Sequence, residues 1–337
     1  PVTFYPGVAQ ACWSTSEVRD AHSYAEKLRR DYGYDQLEPL DRAGIQRLIG
    51  SKAYQGGDVD RGAGHVHPLN YAIGLAQAAQ KAGAVICEGS EVIRLEPGAK
   101  PTVHTAQGRV TCGQVLLAAN GYLGDLEPKV AAKVMPINNF IVATEPLGDR
   151  AAEILAEPVA VADTKFVVNY WRLSEDNRLL FSGGESYGYR FPDILKAVSK
   201  PMLAVYPQLR DTPIDYAWGG TLAITLNRMP CFTQLAPNIL SASGYSGHGV
   251  AIATLAVLAA CGKPQGDGKP ADGTAVRTAT AFTGPASPVI TANGLIASND
   301  EMRLSFKTGG ILQRIVVREG QTVRKGQLLA QLDLTEI

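Results

Sequence analysis

The chain has 337 residues, 45% of them hydrophobic, and its 32 basic side chains balance its 32 acidic ones. Zero net charge and a pI near 7.3 exclude the basic surface that would make nucleic acid or an anionic membrane a partner. The five cysteines are scattered without metal-ligand spacing, so we expect free thiols and no metal site. No apolar run reaches the roughly 18–20 residues of a membrane span. A start at Pro1, without Met or a basic-then-apolar leader, is typical of a fragment.

The first part of the chain has helical periodicity followed by short strand-like runs. Helices are predicted at residues 18–34, 41–49 and 69–82. His67 and Pro68 are expected to cap the third helix, because a metal site at His65 and His67 would lack a third ligand. Strands are predicted at residues 84–87, 91–95, 102–105, 109–111 and 114–118. The last strand, in the sequence VLLAANG, is apolar enough to be buried on both faces.

Aromatic and β-branched residues dominate from residue 137 onward. Strands of an antiparallel sheet are predicted at residues 166–172, 178–183 and 214–225, with a helix at 193–205. A further strand at 238–242 leads into a glycine-rich loop and a helix that starts at Val250. Beyond Cys261, residues 262–273 are a Gly/Pro/Lys/Asp linker. Residues 304–334 have the pattern of short strands with tight turns.

Six stretches carry a family resemblance. They are, in chain order, GHVHPLNYAIG, VLLAANGYLGDLEP, NYWRLSEDNRLLFSGG, YPQL, IDYAWGGTLAITLNRMP and GYSGHGVAIATLA. In this order and spacing they resemble the D-amino-acid-oxidase-like FAD-dependent oxidoreductases, most closely the gamma-glutamylputrescine oxidases. The resemblance spans residues 1–256. It implies oxidation of a primary amine by hydride transfer to FAD, hydrolysis of the imine, and reoxidation of the flavin by O2 to give H2O2.

The resemblance also implies a set of FAD contacts. Backbone N–H groups and a helix dipole after the glycine-rich loop would stabilise negative charge on the flavin ring, and glycines allow close approach. The implied cofactor-binding residues are Val92, Ala118, Ala119, Asn120, Gly121, Gly244, Tyr245, Ser246, Gly247, His248 and Gly249.

Aromatic residues of the second sheet are the candidate substrate contacts, since aromatic faces attract an alkylammonium group and exclude water. The predicted substrate residues are Tyr170, Trp171, Trp218 and Arg228. Arg172, Arg178 and Arg228 could each bind a substrate carboxylate through paired hydrogen bonds, or equally form structural salt bridges. No residue is assigned as a catalytic base, because a deprotonated amine needs none.

The expected fold class is α/β and α+β: a truncated, Rossmann-like FAD-binding domain with an inserted antiparallel sheet, and a C-terminal β fragment. No G-x-G-x-x-G sequence is present to hold the FAD pyrophosphate, so we expect the purified protein to retain little FAD. The predicted parts are residues 1–49 (substrate domain), 50–135 (FAD domain), 136–236 (substrate sheet), 237–256 (FAD loop and helix), 257–282 (linker) and 283–337 (β fragment).

The C-terminal part has a second resemblance. Leu258-Ala259-Ala260-Cys261-Gly262 resembles a lipoprotein processing site, and RLSFKTGGILQRIVVREGQTVRKGQLLAQLD resembles the lipoyl-like region of periplasmic efflux adaptors. These features predict a chimeric chain with its seam inside residues 250–257. The alternative function is therefore a periplasmic adaptor lipoprotein with efflux-pump partners. The preferred hypothesis is a cytoplasmic oxidase, with an amine and O2 as its small-molecule partners and Cys261 unmodified.

Overall fold

The computed structural model describes residues 2–187, 191–261, 311–315 and 330–333. The chain divides into two units, Pro1–Asp267 and Gly268–Ile337. Described residues of the second unit are two strands, Ile311–Ile315 and Ala330–Asp333, which pair antiparallel. The rest of the predicted efflux-adaptor segment lies outside the described residues, so the adaptor resemblance stays a prediction.

The first unit begins with alternating strands and helices. In chain order they are β1 (Phe4–Cys12), α1 (Thr15–Tyr32), β2 (Leu37–Leu40), α2 (Arg42–Ile49), β3 (Gly56–Val66) and α3 (Pro68–Lys81). Their ends follow local chemistry. Ser14 and Glu17 form a capping box at the start of α1, and the left-handed Gly33 ends it. The side chain of His67 accepts a hydrogen bond from the Asn70 N–H, which confirms the predicted cap of α3.

Short strands and turns come next. They are β4 (Val92–Glu96), β5 (Thr102–Thr105), β6 (Arg109–Thr111), β7 (Val115–Leu117), a 3-10 turn at Asn120–Tyr122 and α4 (Pro128–Ala131). The predicted strand at residues 84–87 is wrong, because this segment has no strand pairing. Burial of β7 on both faces is also wrong. In its three-stranded sheet β7 is an edge strand, and Leu116 is exposed.

The last part of the unit contains further strands and helices. They are β8 (Val134–Thr144), α5 (Ala151–Ile154), β9 (Ala160–Asp163), β10 (Tyr170–Leu173), β11 (Leu179–Ser186), α6 (Ile194–Val205), β12 (Ile214–Thr225), β13 (Cys231–Ala236), β14 (Ile239–Ser243) and α7 (Gly249–Cys261). The bounds of β12 match the predicted strand. β10 is shorter than predicted, because pairing with β11 begins only at Tyr170.

One eight-stranded mixed sheet dominates the unit, in the order β12-β8-β11-β10-β9-β1-β3-β2. Its strands pair antiparallel except for β1 and β9, which are parallel. The sheet joins the start of the chain to the predicted substrate sheet. It also includes β3, which the predicted boundary at residue 50 had assigned to the FAD domain.

The main core covers one face of this sheet. Phe140, Phe181 and Trp171 pack there with Val198 and Met202 of α6. A smaller cluster of Leu117, Leu123 and Val130 lies under the turn after β7. Beside it are two three-stranded sheets, in the orders β13-β14-β7 and β4-β5-β6. The other face of the large sheet is free of α6 and forms the floor of a cavity.

Candidate functional site

The cavity floor consists of two rows of side chains on one face of the large sheet. The strand register aligns the first row across four strands, as Tyr170, Ser182, Ile141 and Trp218. It aligns the second row as Arg172, Leu180, Ala143 and Tyr216. All eight residues line one cavity of about 850 Å³. Because side chains alternate between faces along each strand, the residues between the two rows on β10, β11 and β8 point into the core; they are Trp171, Phe181 and Val142.

Trp171 illustrates this alternation. Its ring is 2% exposed and stacks on Phe181 at 5.5 Å and on Tyr54 at 5.9 Å, within the core. Tyr170 and Trp218, by contrast, are 39% and 43% exposed on the cavity side. The structure therefore brings two of the three predicted aromatic substrate contacts together. The third, Trp171, packs in the core on the opposite face of the sheet.

The first row is held by polar groups of β8 and β11. The Tyr170 hydroxyl donates a hydrogen bond to Asn139 Oδ1, which also accepts one from Ser182 Oγ at 2.8 Å. Burial raises the pKa of the Tyr170 phenol, which stays neutral at physiological pH. Tyr170 therefore presents a neutral aromatic ring, fixed by its hydroxyl, to the cavity.

The turn after β7 meets this row. Asn120 has φ 48°, and the missing side chain of Gly121 allows contact with β12, since a Cβ there would overlap the Thr221 carbonyl oxygen. The Tyr122 hydroxyl accepts a hydrogen bond from the Thr221 N–H at 3.0 Å. Tyr122 also lines a small cavity together with Tyr170 and Trp218. The predicted turn and the predicted aromatic contacts thus share one site.

The glycine-rich loop reaches the same turn from the other side. The Gly244 N–H donates a hydrogen bond to Asn120 Oδ1 at 3.1 Å. The Ser246 N–H donates to the Ala223 carbonyl at 3.0 Å, and Ser246 Oγ accepts from the Thr225 N–H at 3.2 Å. These bonds tie the loop to both the turn and the end of β12. The turn and the glycine loop are thus in direct contact.

The last residues of the glycine-rich loop are exposed to solvent. Gly244, Tyr245 and Ser246 are buried, whereas Gly247 and His248 are exposed. A Cβ at Gly247 would meet no atom within 4 Å, and α7 begins two residues later at Gly249. The first N–H groups of any α-helix have no intrahelical partner. This donor set, next to the exposed Gly247 and His248, suits the ring of a flavin as a hydrogen-bond acceptor.

Four predicted contacts remain, namely Ala118, Ala119, Val92 and Arg228. Ala118 and Ala119 are exposed at the end of β7. Val92 begins β4, three residues from Leu95, which packs against the cluster under the turn. Arg228 is exposed in the turn between β12 and β13, with φ 62°. These positions stay predictions for cofactor and substrate binding.

Helix α7 follows the glycine-rich loop directly and is strongly apolar. Its Val250 and Leu255 are exposed. The helix runs without a break through the predicted seam to Cys261. Within the described residues, no helix is long and apolar enough to cross a membrane.

Sequence reasoning missed Asn139, Tyr122 and Thr221. Asn139 connects Tyr170 to Ser182, while Tyr122 connects the turn to β12. A signal for Asn139 existed in the sequence, since the pair Asn138-Asn139 interrupts an otherwise apolar strand. Asparagine is uncommon in strands unless a specific hydrogen bond holds it there.

A mixed sheet with an aromatic cavity, joined to a glycine loop and a helix N-terminus, is consistent with an FAD-dependent oxidoreductase. Residues 3–261 match the family described as FAD dependent oxidoreductase (DAO), and the chain belongs to this family, whose cofactor is FAD. The match continues past the predicted seam at residues 250–257 and ends with α7. The family boundary therefore lies later than the sequence predicted.

Two curated relatives extend the comparison. The chain is 39% identical over 264 residues to the probable oxidoreductase OrdL of Rhizobium meliloti. It is 40% identical over 256 residues to the gamma-glutamylputrescine oxidoreductase of Escherichia coli. The alignments cover 78% and 75% of this chain. The chain spans 60% of the length of each relative.

Solved structures share the fold at low sequence identity. A glycine oxidase from Geobacillus kaustophilus aligns with a TM-score of 0.63 and 19% identity, covering 76% of this chain and 70% of that one. An L-proline dehydrogenase from P. horikoshii aligns with a TM-score of 0.61 and 18% identity, covering 75% and 70%. This likeness concerns the fold.

Proposed function

We propose that this chain provides the substrate face and the flavin-ring contacts of an FAD-dependent amine oxidase acting on gamma-glutamylputrescine or a similar primary amine. The observation that carries the proposal is the Asn120–Gly244 hydrogen bond, because it joins the turn to the glycine loop beside Tyr170 and Trp218. The relative in Escherichia coli, 40% identical, supports the choice of substrate.

In this proposal residues 120–121 and 244–249 would hold the flavin ring, and Ala118, Ala119 and Val92 would hold the rest of FAD. Bound FAD supplies the chemistry, accepting a hydride from the carbon next to the amine nitrogen. Backbone N–H groups at the start of α7 stabilise negative charge on that ring. Because backbone groups alone make these contacts, the loop needs no side chains there, and this accounts for its glycines.

The aromatic first row binds the reacting end of the substrate. Tyr170 and Trp218 attract an alkylammonium group through their ring faces and exclude water from it. Trp171 acts indirectly, by holding β10 against the core through its stacking on Phe181. Arg228 is a candidate for binding a polar group at the exposed rim. The alternative hypothesis, an efflux adaptor, is based on sequence alone, namely the lipoprotein-like site at residues 258–262 and residues 283–337.

The experiment is an anaerobic titration of the full chain, mixed with excess FAD, with gamma-glutamylputrescine. Loss of the flavin absorbance near the visible maximum, followed by H2O2 release on admission of air, is the expected result. Glycine and L-proline serve as control substrates, because they would reduce the flavin of an amino-acid oxidase instead. Failure of the chain to bind FAD, or reduction by the amino acids alone, would overturn the proposal.

A further inference from the structure

Arg172 is a cationic group of the cavity floor with no close ionic partner. It lies in the second row, in β10, and is half-buried. Among the ion pairs of the described residues none involves Arg172. Its Nη1 donates a hydrogen bond to the neighbouring Leu173 carbonyl at 3.5 Å. Tyr5 and Glu175 favour its charge electrostatically and line a second cavity that Arg172 also borders. Glu175 already accepts a hydrogen bond from Tyr5 at 3.2 Å.

Arg178, the other cation of this cavity, is fully engaged. Its guanidinium pairs with Asp176, at 2.7 Å, and with Asp215. It also donates to the Thr144 carbonyl at 2.9 Å and lies over the Tyr216 ring, 5.3 Å from its centroid. Of the alternatives left open by the sequence, the salt-bridge role therefore falls to Arg178. Arg172 keeps its forked set of donors for a ligand.

Arg172 lies on the side of the first row that is away from the turn after β7. Tyr170 and Trp218 line the small cavity that includes Tyr122, so the first row is the end of the floor next to the turn. Arg172 is two residues along β10 from Tyr170, about 7 Å further from that end at about 3.3 Å per residue. The wall between the two positions is apolar, with Leu180 and Ile141 on the floor. An extended substrate whose amine lies at the first row would thus direct its other end to a guanidinium.

We propose that Arg172 binds a carboxylate at the far end of the substrate, so that the site selects long amines that carry an acid group remote from the reacting nitrogen. This inference depends on the proposed amine-oxidase function. A guanidinium binds a carboxylate through two parallel hydrogen bonds, and a half-buried site strengthens them by limiting competition from water. A short amine without an acid group would leave this guanidinium without a partner.

The test compares two probes on the full chain with excess FAD: gamma-glutamylputrescine, and the same molecule with its alpha-carboxylate converted to a carboxamide. Calorimetry gives a Kd for each, and the ratio of the two values is the readout. The parent is expected to prefer the carboxylate by about tenfold or more. Arg172→Gln should bring the ratio close to one, and Arg172→Lys should restore part of it. Loss of folding alone would weaken both probes together and leave the ratio unchanged.

Two further variants keep the test specific. Arg29→Gln, an exposed change on α1, should leave the ratio as in the parent. A ratio that survives Arg172→Gln but disappears in Arg228→Gln would overturn the inference in favour of the rim arginine. Equal binding and equal flavin reduction by both probes would overturn it while the amine-oxidase function stands. Absence of binding and of flavin reduction by either probe would overturn both.

Discussion

The side-chain oxygen of Asn120 accepts a hydrogen bond from the backbone N–H of Gly244 at 3.1 Å, across 124 residues of sequence. Asn120 adopts φ 48°, a left-handed conformation that asparagine tolerates better than most residues. One residue thus shapes the turn and also fixes the glycine loop. The Asn120 amide therefore links the turn to the loop, while Ser246 links the loop to the end of β12.

Asn120 variants separate its two roles. Asn120→Ala loses both the acceptor and the tolerance of a left-handed backbone, and should destabilise the protein by about 2 kcal/mol. Asn120→Gly keeps the backbone freedom and should lose about half of that, whereas Asn120→Asp keeps the acceptor and should lose least. Urea unfolding measures the order, and FAD affinity should fall in the same order. Equal stability of Asn120→Ala and the parent would show that the bond is unimportant.

Gly121 should not accept a side chain. A Cβ at this position overlaps the Thr221 carbonyl oxygen, so Gly121→Ala must push the turn away from β12. We expect a loss of about 1–3 kcal/mol, typical of overpacking against backbone. Gly113→Ala is the matched control, because a Cβ there meets no atom within 4 Å. Thermal unfolding of the two variants side by side measures the difference. Similar midpoints would contradict the close contact.

Tyr54 and Asp163 form a buried polar contact behind the site. The Tyr54 hydroxyl donates to Asp163 Oδ2 at 2.9 Å, and Asp163 is 4% exposed. Tyr54→Phe removes one donor from a buried carboxylate and should cost about 1–3 kcal/mol in urea unfolding. Tyr24→Phe, which alters an exposed tyrosine of α1, is the control and should be neutral. A neutral Tyr54→Phe would mean that the donors of Asn169 and Lys165 satisfy the carboxylate without the phenol.

Asp58 should make stability depend on pH. Burial raises the pKa of this β3 carboxyl from 3.8 to about 6, with the charge of Asp60 adding to the rise and His22 opposing it. The folded protein therefore holds this proton more tightly than the unfolded chain. The neutral carboxyl is favourable at pH 4, and this contribution is lost as the pH rises through 6.

Asp58→Asn removes that dependence. The variant should match the parent near pH 4 and exceed its stability at pH 7 by on the order of 1–2 kcal/mol after allowance for screening by water. Unfolding midpoints between pH 4 and 7 provide the measurement. Asp211→Asn, at an exposed position, is the control for charge alone. A constant difference between Asp58→Asn and the parent across the range would contradict the raised pKa.

Local sequence determined much of the secondary structure and the family. The strands Thr102–Thr105 and Ile214–Thr225 lie where alternation and β-branched residues predicted them, and His67 caps α3 as predicted. These features depend on neighbours within a few residues, so the sequence alone contains them. Residues 84–87 show the limit: their apolar run predicted a strand, but no partner strand pairs with them. A strand needs a partner, and pairing is not a local property.

The tertiary structure alone decided the site. Tyr170, Trp171 and Arg172 are consecutive, and only the pairing of β10 with β11 determines that Trp171 enters the core while its neighbours face the cavity. The sequence could not rank Arg172 against Arg178, because Asp215 reaches Arg178 from β12, 37 residues away. Burial and charge pairing depend on which distant segments meet, since electrostatic and packing energies act across space rather than along the chain.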